Sequence, residues 1–450
     1  MAFVCVVASC KTLPDVDKLP DNANKAPPAV ATPRGMLQPK QAAQLLSKRW
    51  ANATPDLKQL AVLEEQATGV PLIPGNKVTL LFDGPATMRE MMAAAREAKS
   101  SINLETYIFD QDPVGLEFAT LLMEKRRQGV AVNIMADGVG TLGTPKEFFE
   151  RMRGAGVSVL IFNPVDPTKR PGKWQLNNRD HRKIMVVDGK VGFTGGINIS
   201  ETYANSSLFR SKQKAGTADR KKVGWRDTHI RIEGPAVATL QYAFIDSWVR
   251  QDAGELPPGE YFPRLAVAGD KVLRVLATAP DRDSEIYKSL MVAMNESKKS
   301  IHITSAYFVP DQQIIDALTA AAKRGVDVKL VLPGVSDHKL IKYAGQAFYD
   351  ALLEGGVKIY QLQVAVLHAK TAVIDGIWST IGSANIDRRS FIHNYELNVV
   401  VLDPGFGRDM ESAFNEDLRD SKQVTLEQWR DRPWKDRFRE WMGRLTEYWI

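Results

Sequence analysis

The chain has 450 residues, 44% of them apolar, which is enough to bury the cores of two ordinary domains. Its formal charge is +6, from 59 basic and 53 acidic residues, a mild excess that suits an anionic lipid surface or a nucleic acid and decides for neither. Its two cysteines, Cys5 and Cys10, both lie near the start, which excludes a disulfide framework or a cysteine metal site in the folded part.

Residues 1–75 are predicted to form a tether with short helices. The apolar opening ends in Val7-Ala8-Ser9-Cys10, which is similar to the lipobox of bacterial lipoproteins with Cys10 as the acylated residue. The basic start and longer apolar core of a signal peptide are missing, so a lipid anchor and a short apolar tail both stay open. Helical apolar spacing at 40–50 and 56–68 predicts two helices that lean on the first domain. The sequence contains no apolar run of about 18 residues, so no transmembrane helix is expected.

Residues 76–255 are predicted to form an α/β domain. The predicted elements alternate along the chain: strand 78–83, helix 88–99, strand 102–109, helix 115–128, strand 130–136, helix 146–154 and strand 157–162. This alternation predicts a mixed, mostly parallel sheet that is flanked by helices on both faces.

Residues 256–425 are predicted to repeat that domain. Tyr307 corresponds to Tyr107 and Gly356 to Gly156 in the repeat, because each pair is separated by 200 positions (307 − 107 and 356 − 156). Farther along the offset falls to 187, so the first half holds 13 extra residues (200 − 187), which we place at 163–178. This insertion is basic and could be a lipid-headgroup contact or a solvated loop; its notable residues are Lys169, Arg170, Lys173 and Trp174.

Two stretches of the chain share one pattern of polar residues. Their members are His181, Lys183, Asp188 and Asn198 in the first, and His368, Lys370, Asp375 and Asn385 in the second. Each member of the second set stands 187 positions after its counterpart (368 − 181, 370 − 183, 375 − 188, 385 − 198). A shared offset for four residue types indicates an internal duplication.

The spacing within each stretch predicts a site for an anion. The histidine and the lysine stand two apart at the start of a β-branched run, so a strand would point both side chains to one face. Asp-Gly at the end of the run predicts a tight hairpin turn, which makes Asp188 and Asp375 turn-builders and charge partners. The small residues before Asn198 and Asn385 would let backbone N–H groups approach a phosphate, with the asparagine amide as a further donor.

Residues 426–450 are predicted to form an amphipathic helix with arginines between its apolar positions. The apolar stripe consists of Trp434, Phe438, Trp441, Leu445 and Tyr448. Such a stripe suits a membrane interface, while packing on the second domain and base stacking remain alternatives.

The duplicated pattern resembles the phospholipase D superfamily. The segment 382–396, from Gly382-Ser383-Ala-Asn385 to Asn394-Tyr-Glu396, is similar to bacterial cardiolipin synthases, as are Asp180-His181-Arg182-Lys183 and Trp225-Arg226-Asp227. The resemblance covers about residues 74–425. It implies duplicated phospholipase D-like domains packed as a pseudo-dimer within one chain, so a monomer with an internal two-fold axis is expected.

The resemblance also implies the site. Glu396 would orient one histidine and Asp227 is its counterpart in the first half, with His181 as the nucleophile and His368 as the acid. Two histidines at a phosphodiester invite a two-step route through a phosphohistidine, in which their pKa values must be pushed apart so that one is neutral and the other protonated. Lys183, Lys370 and the two asparagines would hold the phosphate oxygens. No metal ligand set stands near the motifs, so neither a metal nor another cofactor is expected.

These inferences predict a phosphatidyl transferase that makes cardiolipin. A phospholipase D that uses water and a nuclease on the same scaffold are the alternatives, and nucleic acid is disfavoured by the modest net charge. The expected partners are anionic phospholipids, namely phosphatidylglycerol with phosphatidylethanolamine as a second candidate, and a membrane surface. The expected location is the bacterial cell membrane, with peripheral or lipid-anchored attachment.

Overall fold

The computed structural model describes residues 12–20, 26–51, 55–170, 175–204, 224–252 and 254–444. The lipobox-like segment with Cys10, residues Lys173 and Trp174 of the basic insertion, and Leu445 and Tyr448 of the C-terminal stripe lie outside these ranges.

The described strands are β1 Ala31–Thr32, β2 Gly35–Met36, β3 Ile73–Leu81, β4 Ser101–Thr106, β5 Ala131–Asp137, β6 Ser158–Phe162, β7 Ile184–Val187, β8 Val191–Gly195, β9 Trp225–Arg226, β10 His229–Glu233, β11 Lys271–Thr278, β12 Ser300–Ser305, β13 Phe308–Val309, β14 Asp327–Val335, β15 Lys358–Leu367, β16 Lys370–Ile374, β17 Trp378–Gly382, β18 Ile386–Asp387, β19 Glu396–Leu402 and β20 Ser421–Val424.

The described helices are α1 Pro39–Arg49, α2 Pro55–Thr68, α3 Gly84–Glu97, α4 Pro113–Arg127, α5 Lys146–Gly154, α6 Glu201–Ala204, α7 Val237–Arg250, α8 Glu285–Asn295, α9 Gln312–Lys323, α10 Lys339–Gln346, α11 Tyr349–Glu354, α12 Pro404–Arg419, α13 Leu426–Arg430 and α14 Trp434–Arg444.

Each half of the chain builds a mixed sheet as predicted, but the prediction that it is mostly parallel is wrong, because the motif hairpin and the strands beyond it all pair antiparallel. In the first half β4, β5 and β6 are parallel, and β7, β8 and β10 continue from β4 in antiparallel pairs. The second half repeats this order with β12, β14 and β15 parallel, and β16, β17 and β19 antiparallel. The prediction of duplicated α/β units is therefore confirmed.

The two half-sheets join into one. Strand β3 pairs with β10 of its own half and with β11 of the second half, both antiparallel. Strand β3 begins at Ile73, five residues before the predicted start at residue 78. The prediction began too late because Pro74 and Gly75 are typical strand breakers. Those early residues supply the pairing with β11.

The prediction that the two N-terminal helices lean on the first domain is wrong. The apolar side chains of α1 and α2 share a buried core with α8 of the second half. Trp50 donates its indole N–H to the carbonyl of Leu402 at 3.2 Å, and Glu64 pairs with Arg274 at 3.0 Å with both side chains fully buried. Strand β3 follows α2 and lies near the centre of the joint sheet, next to strands of both halves. Helices α1 and α2 can therefore reach either half, and their place in the sequence does not indicate which half they contact.

The basic insertion turns inward where it is described. Arg170 donates to Asn163 at 2.5 Å and to Gln251 at 2.9 Å, so it ties the insertion to the end of α7. These contacts hold Arg170 against the protein rather than presenting it to a lipid.

The motif histidines lie at the carboxyl edge of the parallel strands. Strand β7 starts opposite the end of β4, with Ile184 paired to Glu105, and β16 starts opposite the end of β12, with Lys370 paired to Ser305. This edge is where open α/β sheets bind ligands.

Candidate active site

Backbone hydrogen bonds that cross between the halves hold each motif histidine. Strand β9 of the first half pairs in parallel with the end of β15, and His368 N–H donates to the Arg226 carbonyl at 2.8 Å. In the same way, His181 N–H donates to the Tyr395 carbonyl at 2.9 Å. Asp227 directly follows Arg226, so it lies beside His368. Glu396 directly follows Tyr395, so it lies beside His181.

The two histidines bind the two carboxylates in a crossed arrangement. His181 Nδ1 lies 3.1 Å from both carboxylate oxygens of Glu396, and His368 Nδ1 lies 2.6 Å from Asp227 Oδ2. An ionised carboxylate only accepts, so Nδ1 carries the proton in both rings and Nε2 carries the free lone pair of the neutral imidazole. The sequence suggested both carboxylates, but it did not show which histidine each would meet.

The halves form a single electrostatic site. Burial lowers the pKa of His181 to about 4, and Lys370 of the other half contributes to that shift. Burial likewise lowers the pKa of His368 well below its ordinary range, and Lys183 and His181 contribute from across the site. Burial thus lowers the pKa of both rings below 7, so the protonated ring that a two-histidine route needs is not present in the free site.

The motif lysines are buried beside their histidines. Lys183 Nζ donates to the His181 carbonyl at 2.5 Å and lies 5.3 Å from the centre of the Tyr107 ring. Lys370 Nζ donates to the His368 carbonyl and lies 3.1 Å from Nδ1 of that ring. Burial lowers the pKa of Lys183 to about 7 and also lowers the pKa of Lys370. A bound phosphodiester would reverse these shifts, because its negative charge favours the ammonium form.

The two carboxylates differ in their environment. Burial alone would raise the pKa of Glu396, but His181, Lys183 and the Ser383 hydroxyl together lower it to about 2. Ser383 Oγ donates to Glu396 Oε2 at 2.5 Å, and Asn394 donates to Oε1 at 3.0 Å. Burial raises the pKa of Asp227 to about 6, although Lys370 and the Thr228 amide oppose the shift. Glu396 is therefore the more firmly ionised of the two.

The small residues of the motif make room for these carboxylates. Gly196 and Ser383 occupy equivalent positions, since 383 − 196 is 187. Any side chain at Gly196 would overlap the Asp227 carboxylate, whereas the Ser383 hydroxyl binds Glu396. The expectation that their backbone N–H groups approach a phosphate is wrong, because the Gly196 N–H donates to the Thr228 carbonyl and the Ser383 N–H to the Leu397 carbonyl, both at 3.0 Å.

The motif aspartates lie at the far ends of their strands from the histidines. Asp188 and Asp375 have positive φ (53° and 55°), as do the glycines that follow them, so the predicted tight turns are confirmed. Asp188 accepts from the backbone amides of residues 99, 100 and 101, and Asp375 from those of residues 298, 299 and 300. The described hydrogen bonds of both aspartates go to backbone amides, and Asp375 also contributes to the charge interactions that raise the pKa of Lys298.

The two asparagines also differ from expectation. Asn198 Oδ1 accepts from the Ile108 amide at 3.1 Å, and its Nδ2 donates to the Tyr203 hydroxyl at 2.7 Å, so it supports the wall of the site. The Tyr203 ring packs edge-on against His368 with centroids 5.6 Å apart. The buried Asn385 Oδ1 has no partner among the described residues, and as an acceptor it could bind a donor of a ligand but not a phosphate oxygen.

Tyrosines line both sides of the site, and the motifs do not contain them. Tyr107 packs edge-on against His181 at 5.3 Å, and Tyr307 does the same against His368 at 6.3 Å. Their shared offset of 200 was the signal that could have found them. Tyr203 has no tyrosine counterpart, since 203 + 187 is Ser390, so no repeat points to it.

Comparison with known proteins agrees with this geometry. The family described as "Cardiolipin synthase, PLD-like domain" matches residues 91–208 and 290–418, that is, once in each half. The chain belongs to this family. It is 36% identical over 378 residues to a cardiolipin synthase of Geobacillus kaustophilus, covering 83% of this chain and 72% of that one. It is 34% identical over 372 residues to a probable cardiolipin synthase of Bacillus subtilis, covering 82% and 71%.

A solved structure supports the fold separately. The crystal structure of phosphatidylserine synthase from Haemophilus influenzae aligns with a TM-score of 0.66 at 12% identity, over 86% of this chain and 99% of that one. The prediction of an enzyme of the phospholipase D superfamily that acts as a phosphatidyltransferase is confirmed by these comparisons.

Proposed function

We propose that this protein is a cardiolipin synthase that transfers a phosphatidyl group through a covalent phosphohistidine. The crossed pairing of His181 with Glu396 and of His368 with Asp227 carries the proposal, because it gives one site two oriented imidazoles. The relatives named cardiolipin synthase support the choice of reaction.

In the first step His181 Nε2 attacks phosphorus. A P–N bond forms, the P–O bond to the headgroup alcohol breaks, and that oxygen takes a proton from Nε2 of His368. In the second step His368 takes the proton of the incoming alcohol, whose oxygen attacks phosphorus as the P–N bond breaks. Atoms and protons balance over the cycle, since His368 ends as it began.

The carboxylates support His181 as the nucleophile. Attack places a positive charge on the phosphorylated imidazole, and a firmly ionised carboxylate at Nδ1 stabilises that charge. Glu396, with its pKa lowered to about 2 by the groups around it, meets this need better than Asp227, whose pKa burial raises to about 6.

His368 must be protonated when it acts as the acid. Burial lowers its pKa in the free site, so the ring must take up a proton from solvent when the substrate binds. The negative phosphodiester favours the imidazolium form when it enters the buried pocket. Lys183 and Lys370 would then bind the two non-bridging oxygens, and the side-chain NH2 group of Asn385 is a further candidate donor.

The test is a product assay with purified full-length protein. Labelled phosphatidylglycerol is supplied in mixed micelles, with and without phosphatidylethanolamine, and a labelled single-stranded DNA is incubated in parallel. Cardiolipin as the main product supports the proposal. Phosphatidic acid alone would show hydrolysis instead, and cleaved DNA without lipid turnover would show a nuclease.

A further inference from the structure

Helix α14 exposes Trp434 and Phe438 of the predicted stripe, together with Met442, which the prediction did not include. Trp434, Phe438 and Met442 stand at i, i + 4 and i + 8, and their side chains are 71%, 55% and 44% exposed. Large apolar side chains in one continuous exposed row are unusual on a soluble surface. The core-packing alternative is therefore wrong for Trp434 and Phe438.

The opposite face of α14 is the one that packs. Glu440 is buried and pairs with Arg432 at 2.8 Å, and Gly443 is buried against α10. A Cβ at Gly443 would lie 2.6 Å from the Ala344 amide nitrogen, so the helices cross in close contact there. The exposed stripe is thus a fixed feature of a packed helix.

Cations flank the stripe on the exposed side. Lys435, Arg437 and Arg439 are exposed, although Arg439 pairs with the partly exposed Asp436 at 2.9 Å, and the other acidic residue of the helix, Glu440, is buried. An apolar stripe edged by basic side chains matches the interface of an anionic bilayer, where rings and thioether enter the acyl boundary and cations meet headgroup phosphates.

The helix is connected to the rim of the site. It packs on α10, which begins two residues after Asp337. Asp337 accepts a hydrogen bond from the Tyr307 hydroxyl at 2.7 Å, and the Tyr307 ring lies against His368. These contacts link α14 through α10 to the His368 side of the site.

We propose that the exposed face of α14 docks this enzyme on an anionic lipid bilayer, with Trp434, Phe438 and Met442 inserted and the flanking cations at the headgroups. This inference rests on the proposed function and deepens it, because it names the surface through which the enzyme reaches its lipid substrate. Among the described residues, no helix is long and apolar enough to cross a membrane.

The experiment is vesicle co-sedimentation of the full-length chain. Vesicles of phosphatidylcholine alone are compared with vesicles containing about one-third phosphatidylglycerol, at low and high salt. We expect binding to the anionic vesicles that weakens with salt, and a loss of about tenfold or more for Trp434→Ser/Phe438→Ser and for Lys435→Glu/Arg437→Glu.

Matched variants elsewhere provide the controls. Tyr242 and Val249 are 57% and 63% exposed on α7, so Tyr242→Ser/Val249→Ser removes a similar apolar area from another helix. Lys58→Glu/Arg89→Glu makes the same charge change on α2 and α3. Both controls should bind vesicles like the unmodified protein.

Binding is measured without turnover, so failure of docking and failure of the transferase reaction are separate outcomes. Variants of α14 should also keep their activity on substrate in detergent micelles while losing it on vesicles. Vesicle binding unchanged by the α14 variants would overturn the proposal, as would an equal loss in the controls. The proposal would also be overturned if the α14 variants lost self-association or DNA binding but bound vesicles normally.

Discussion

His181 and Glu396 come from different halves of the chain, and the imidazole Nδ1 lies 3.1 Å from both oxygens of the carboxylate. The reciprocal pair, His368 and Asp227, is also made across the halves. Neither half alone contains an oriented histidine, so the fused sheet and the crossing backbone bonds are requirements of the site.

The first prediction concerns this pairing. Glu396→Gln should lower kcat by about a thousandfold or more, because a neutral amide neither fixes the Nδ1–H tautomer nor stabilises a positive ring. Glu411→Gln is the matched control, since Glu411 pairs with His302 at 2.7 Å outside the site. A Glu396→Gln enzyme with a kcat near that of the control would contradict the assigned role.

Stability should respond to the two carboxylates with opposite signs. The pKa of Glu396 falls from 4.5 to about 2 on folding, so its charge adds stability above pH 4.5 that is lost as the pH falls towards 2. The pKa of Asp227 rises from 3.8 to about 6, so its charge opposes folding above pH 6. At pH 8, Glu396→Gln should lower Tm and Asp227→Asn should raise it. Thermal unfolding in which both variants shift Tm the same way would refute this account.

Ser383 should act through Glu396. Ser383→Ala removes the hydroxyl that donates to the carboxylate at 2.5 Å, and we expect kcat to fall by about tenfold. The acid limb of the pH–kcat profile should move upward, because Glu396 loses a donor that lowers its pKa. Ser379 is a buried control on β17, and its hydroxyl has no partner among the described residues. Equal profiles for the two alanine variants would argue against the link.

The pH dependence of substrate capture should report Lys183. Burial lowers its pKa to about 7, so the free enzyme loses this cation as the pH rises through that value. We expect kcat/KM to fall above about pH 7, while kcat persists to higher pH because bound phosphate restores the ammonium form. Lys183→Arg should move the alkaline limb of kcat/KM upward. A kcat/KM profile that is level from pH 6 to 9 in the unmodified enzyme would exclude this role.

Turnover should not depend on a divalent metal. The mechanism stabilises the phosphate with lysines and oriented imidazoles, which need no Lewis acid. Enzyme dialysed against chelator should keep its rate of cardiolipin formation. Loss of activity that only added metal restores would defeat the mechanism.

The duplicated spacing predicted much of the site. One offset of 187 identified both histidines, both lysines and the tight turns, because local strand and turn chemistry fixes their arrangement. The order of strands and helices in each half followed from apolar periodicity for the same reason.

Other features depend on contacts between distant segments. The pairing of Glu396 with His181 depends on the backbone hydrogen bond from His181 to Tyr395. No local sequence pattern predicts a hydrogen bond between segments so far apart in the chain. Asn198 was expected to bind phosphate, yet its side chain is hydrogen-bonded to the Ile108 amide and the Tyr203 hydroxyl. Tyr203 has no tyrosine counterpart in the second half, so the repeat could not have predicted this contact. Helix α2 could have packed on either half. It packs on the second half, where Glu64 forms a buried ion pair with Arg274.

The most direct measurement is to trap the enzyme–phosphatidyl adduct. The unmodified full-length enzyme is mixed with phosphatidylglycerol carrying a labelled phosphorus, denatured within the first turnovers at alkaline pH where phosphohistidine survives, and mapped by peptide mass spectrometry. We expect label on the peptide that contains His181, and none in His181→Ala. Label on another residue, or full cardiolipin synthesis by the His181→Ala enzyme, would contradict it.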